Sequence, residues 1–195
     1  SGAVIAVDWV LSLDPSFHSS GFGFYWLSVQ MTVALATAML VAPDPLPEQR
    51  PVLAGLLLTA LLLWAYLAFM QYVILWSGNL PQGVRWYDNR SGPGWAAVLW
   101  TVALLHLAPT LLLMLPRMRG SALVVRWLAA TVLLGKAVEC AWLVLPGGDA
   151  VDIRMGGPAF ALAAAGIGLL LRAAYPTAVA WRERISREAR PGEAS

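Results

Sequence analysis

Apolar residues run through this chain in five long blocks, Phe22 to Ala42, Val52 to Trp76, Trp95 to Leu115, Ser121 to Leu145 and Pro158 to Ala180. Each holds about 20 residues or more, and at a rise of about 1.5 Å per residue such a helix crosses a hydrocarbon core of about 30 Å. The breaks between them collect helix breakers and charge: Pro43-Asp44-Pro45-Leu46-Pro47, Gly78-Asn79-Leu80-Pro81, Pro116-Arg117-Met118-Arg119-Gly120 and Pro146-Gly147-Gly148-Asp149. The pattern predicts an all-α membrane protein, a bundle of five transmembrane helices at about 22–42, 52–76, 95–115, 121–145 and 158–180, joined by loops.

Two pieces fall outside the bundle. Ala3 to Leu13 is apolar but too short to cross, and with Asp8, Asp14 and Pro15 in and beside it, it reads as an interfacial or re-entrant segment or as the end of a helix that begins earlier. After Trp181, arginine and glutamate alternate at helical spacing, with Glu183 and Arg187 one turn apart, before Pro191-Gly192. Residues 1–181 are thus expected to form one transmembrane domain, with 1–21 on the non-cytoplasmic face and 182–195 as a basic cytoplasmic tail. The arginines set that orientation. Arg50, Arg117, Arg119, Arg126, Arg182, Arg184, Arg187 and Arg190 fall on the side of the tail, against Arg85, Arg90 and Arg154 on the other. Trp76, Trp86, Tyr87, Trp95 and Trp181 lie near the helix ends, where an aromatic belt meets the interface.

Composition agrees. The 195 residues are 59% hydrophobic and only 12% charged, with a mean hydropathy of +0.67, whereas a soluble domain carries roughly 25% charge. The net charge of +2 sits in loops and tail rather than in one patch, so nucleic acid is not expected as a partner. The single cysteine, Cys140, rules out an intrachain disulfide or a CxxC metal knuckle. No basic region precedes an apolar stretch at the start, so no cleavable signal peptide is expected.

Candidate chemistry lies inside the spans. Lys136 and Glu139, three residues apart in the fourth stretch, share a helical face and are close enough to pair. Facing lipid, each would cost a few kcal/mol, so both are expected to point into the bundle or a water-filled cavity. Either they relay protons or they form an ion pair that fixes helix packing. In the third stretch, His106 precedes Pro109, which frees the carbonyl of Leu105. It reads as a proton carrier or quinone partner, or as a histidine satisfied by nearby backbone or Thr110. The second stretch carries Trp64, Tyr66, Phe69, Gln71, Tyr72 and Trp76. The Trp and Phe suit packing and interface anchoring, whereas Gln71, Tyr72 and Tyr66 are candidates for a hydrogen-bonded proton path. A bis-histidine b haem is not expected, because the only other histidine, His18, precedes the first span. No GxGxxG, phosphate loop, HExxH or Ser/His/Asp set is present. No cofactor or metal is expected on this chain, and catalysis by the chain alone is not expected.

Two stretches carry a resemblance. Asp8-Trp9-Val10-Leu11-Ser12-Leu13-Asp14-Pro15 with Phe22-Gly23-Phe24-Tyr25, and Trp64-Ala65-Tyr66-Leu67-Ala68-Phe69-Met70-Gln71-Tyr72 running into Trp76-Ser77-Gly78-Asn79-Leu80-Pro81, resemble the second large, polysulfide-reductase-related membrane subunit of bacterial alternative complex III. The likeness covers residues 8–82 and extends more thinly through Glu139 and Trp142 to Pro146. It implies a non-haem membrane subunit of a respiratory quinol:cytochrome c (or cupredoxin) oxidoreductase in the bacterial inner membrane. Its partners would be further membrane subunits, subunits carrying haem c and iron–sulfur clusters, and a terminal oxidase. Such subunits have twice as many spans, so the likeness is to the carboxyl-terminal half and implies a split subunit, with a separate chain for the other half, or a truncated one. Lys136 departs from the pattern. The competing expectation is an independent small transporter or channel, for which Pro109 and the Gly166/Gly168 stretch are the breaks in helices to look for.

Overall fold

The computed structural model describes residues 21–41, 48–78, 87–88, 90 and 92–145. The fifth expected span, 158–180, the segment 1–20 and the tail 182–195 lie outside the described residues. Among those described, all regular structure is helical. In chain order the helices are α1 (Phe22–Val41), α2 (Arg50–Ser77), α3 (Pro93–Met114), the single turn α4 (Pro116–Arg119) and α5 (Ala122–Val144). Four of them, all but α4, are long and apolar enough to cross a bilayer, the arrangement of a multi-pass membrane protein.

The helices begin where a missing N–H does no harm. Proline occupies the first turn of α2, α3 and α4, where that donor would have no intrahelical partner. The side chain of Ser121 caps α5 by accepting from the backbone N–H of Val124 at 3.5 Å. The run Pro116 to Gly120, expected as loop, is correspondingly a short helix: Pro116 starts it, and Arg119 turns back to donate to the carbonyls of Leu113 at 2.6 Å and Met114 at 3.4 Å. It thereby satisfies acceptors that the end of α3 leaves open.

The long helices run alternately up and down. α1 packs on α2 and α5, and α3 packs on α5, while α2 and α3 meet less closely. The share of buried residues singles out α5, at 44% of its apolar stretch against 28% for each of the other three, so α5 is the inner helix of the described bundle. One end of the bundle is aliphatic, built on Ala36, Leu57, Leu61, Leu113, Ala129 and Val132. Fully buried alanines at 36, 54 and 129 let the backbones approach closely, as small residues do between membrane helices. The other end is aromatic, built on Phe22, Tyr25, Trp64, Trp142 and their neighbours. The outward faces carry Phe24, Val52, Phe69, Trp76, Trp100 and Trp127, all more than half exposed, a surface suited to lipid rather than water.

Candidate functional site

Between the aliphatic and aromatic ends lies a polar layer of Ser28, Thr32, His106, Thr110, Lys136 and Glu139, each buried. Ser28 and Thr32 donate back to carbonyls of their own helix, Tyr25 at 2.6 Å and Ser28 at 2.8 Å, which satisfies them locally. Thr110 is likewise satisfied by backbone, whereas Lys136 and His106 converge on the carboxylate of Glu139.

Glu139 is the hub. Oε2 accepts from Lys136 Nζ at 2.8 Å, the i,i+3 pair on one face of α5. Oε1 accepts from the indole N–H of Trp64 at 2.7 Å and from the hydroxyl of Tyr25. His106 Nε2 stands 3.7 Å from Oε2. Each of the four long helices therefore sends one side chain to this carboxylate or carries it: Tyr25 from α1, Trp64 from α2, His106 from α3, and the pair itself from α5. The pair's charges cancel, and its acceptors are filled, which is the condition for tolerating ions in a membrane interior.

Trp64 holds the layer together in three ways. Besides its hydrogen bond, its ring stacks on the His106 imidazole, with centroids 4.2 Å apart and planes at 25°. The Lys136 ammonium lies 3.9 Å from the same ring's centroid, within cation–π range. Sequence reasoning treats Trp64 as packing; nothing local in the chain signals a partner 75 residues away. Gly135 completes the arrangement. A Cβ there would fall 2.8 Å from His106 Cε1, so only glycine lets α5 approach the imidazole this closely.

The histidine's proton position follows from its partners. Nδ1 lies 2.7 Å from the carbonyl of Val102, which can only accept, so Nδ1 carries hydrogen and donates. In the neutral ring, Nε2 is then a bare lone pair facing a carboxylate oxygen, and no hydrogen bond forms between them. One added proton, on either side, converts two acceptors into a donor and an acceptor and joins them. Thr110, one turn on, donates to the carbonyl of His106 at 2.7 Å rather than to its ring.

A cavity of about 410 Å³ opens beside the hub, lined by Phe22, Tyr25 and Trp64, by Phe69, Gln71 and Tyr72 of α2, by Leu99 and Ala103 of α3, and by Glu139 and Trp142 of α5. Tyr87 closes part of it, edge-on to Tyr72 with ring centroids 5.5 Å apart at 89°. Burial, then the neighbouring Tyr72, push the Tyr87 hydroxyl up to about 12 against the pull of Arg90, so it remains a neutral hydroxyl. Of the six residues singled out from sequence, Glu139, Lys136 and His106 meet in the hub, and Gln71 and Tyr72 line the cavity. Tyr66 is 59% exposed, on the outward face of α2, and joins neither. Phe69 and Trp76 are likewise exposed, as interfacial or lipid-facing anchors are.

Arg90 was unremarkable in the sequence beyond its loop. It is buried and donates to the carbonyls of Trp142 at 3.3 Å and Leu143 at 3.0 Å, capping the carboxyl end of α5 where its positive charge complements the helix dipole. Compared with models of known protein families and with curated protein sequences, the chain gives no match.

Proposed function

We propose that this chain is a non-haem membrane subunit of a respiratory quinol:cytochrome c (or cupredoxin) oxidoreductase of the alternative complex III kind, serving as scaffold and proton conductor. The observation that carries the proposal is the Glu139 hub. A buried carboxylate held by donors from neighbouring helices, with an imidazole lone pair 3.7 Å away, can take up a proton and pass it between two bases without moving the backbone. A scaffold alone needs no titratable layer of this kind, since apolar packing would serve at no desolvation cost.

In this reading haem c and iron–sulfur clusters belong to partner subunits. A terminal oxidase is a downstream partner. The complex lies in the bacterial inner membrane, with the carboxyl terminus of this chain in the cytoplasm. Lipid-facing apolar surface on α1, α2, α3 and α5 supports it, because such surface also accepts neighbouring subunits.

The test is extraction of the native membrane in mild detergent, purification on this chain, and mass-spectrometric identification of what accompanies it. Subunits carrying haem c and iron–sulfur clusters are expected in fixed proportion. A stable, solitary chain would overturn the proposal.

A further inference from the structure

The cavity beside Glu139 has three properties that together specify a ligand. First, it is large enough. About 410 Å³ lies within the roughly 300–1,000 Å³ of small-molecule sites, and its walls are aromatic. Second, its rim residues Phe69, Tyr72 and Leu99 are 64%, 46% and 43% exposed. They belong to α2 and α3, two helices that meet loosely, so the opening is lateral, through the apolar face of the bundle toward lipid. Third, one wall holds an unanswered acceptor. Gln71 Oε1 is shielded from solvent and finds no hydrogen-bond donor among the described residues, at a cost of about 1–3 kcal/mol if left so.

The occupant's chemistry follows by elimination. Because Lys136 already neutralises the carboxylate in the wall at 2.8 Å, no net charge remains to offset the desolvation of an ionic head group, so neither fatty acids nor cations are favoured. A pure hydrocarbon would fill the space but leave Gln71 unsatisfied. What remains is a neutral, membrane-soluble molecule with a planar ring and a hydroxyl donor. We infer that this cavity binds a hydroquinone-class ligand through the Gln71 side-chain oxygen, with its ring among the aromatic walls next to Tyr25 and Glu139.

The ligand class rests on the reading of the chain as part of a quinol-oxidising complex; the site rests on the cavity. Only binding is inferred. Tyr25 donates to Glu139 and both line the cavity, so the hub forms part of the same wall.

The full-length chain in lipid nanodiscs is labelled with a photoreactive azido-ubiquinol, and the labelled peptides are mapped by mass spectrometry. Labelling is expected within α2 around Phe69 to Tyr72 and within α3 around Leu99 to Ala103, displaced by decylubiquinol. Decylubiquinone, which has no hydroxyl to donate, should displace it only at about fivefold higher concentration. Gln71→Leu, nearly isosteric, should weaken labelling about fivefold with a melting temperature no lower than the parent's, since it removes an unanswered acceptor, and Ala103→Trp, which fills the space, should weaken it at least tenfold. Labelling spread over all outward faces, indifference to both variants, or equal displacement by oleate, squalene or decylubiquinone would overturn the inference. If redox partners accompany the chain and yet no specific labelling occurs, the site fails alone. If decylubiquinol binds to a chain that purifies without such partners, the complex fails and the site stands.

Discussion

A methyl group at position 135 would lie 2.8 Å from Cε1 and 3.1 Å from Nδ1 of His106, and 3.0 Å from Cβ of Leu105, so the smallest substitution in the bundle tests the polar layer. Gly135→Ala is expected to lower stability by about 1–3 kcal/mol, the usual range for overpacking, and to shift the His106 imidazole resonances; an unchanged melting curve and spectrum would contradict the packing described. Lys136 and Glu139 are tested as a cycle. Lys136→Met strands a buried carboxylate and is expected to cost about 3–5 kcal/mol. Adding Glu139→Gln should recover roughly 2 kcal/mol of that loss, measured by thermal unfolding in one detergent; strict additivity would mean the pair is not coupled. This pair was legible in the sequence, since helical spacing alone puts positions 136 and 139 on one face. Its other donors were not. Tyr25 and Trp64 stand 114 and 75 residues from Glu139, and no local pattern distinguishes a tryptophan that holds a carboxylate from one that fills space.

Helix by helix, hydropathy was a good guide to the spans, because a bilayer demands a run of fixed length and α1, α2, α3 and α5 end within two residues of the blocks that announced them. It was a poor guide to the ends. Pro116 and the two arginines after it read as loop, yet Pro116 opens a helical turn that lets Arg119 cap α3. Arg90 gives the same lesson from the other side: its loop position was evident, its role at the end of α5 was not. Removing it tests that role. Arg90→Met should cost about 2 kcal/mol, as loss of charge-assisted hydrogen bonds does, and should raise amide hydrogen exchange in the last turn of α5 above that of α3. Equal exchange in variant and parent would show that the carboxyl end of α5 is held by other means.

For the molecule as a whole, the four described helices divide the labour by depth. Close-packed alanine and leucine fasten one end, aromatic side chains frame a laterally open cavity at the other, and the Lys136–Glu139 pair lies in the layer between them, where every long helix contributes. The described helices turn aromatic and aliphatic side chains outward, suited to lipid or to neighbouring subunits. In the proposed function this layer carries protons for a partner's redox chemistry. The most direct test is quinol-driven proton release by the assembled complex bearing Lys136→Met and Glu139→Gln together, a combination that leaves no unpaired charge in the layer. Proton release per quinol is expected to fall at least tenfold while haem-containing partners still co-purify; release equal to that of the parent complex would contradict the claim.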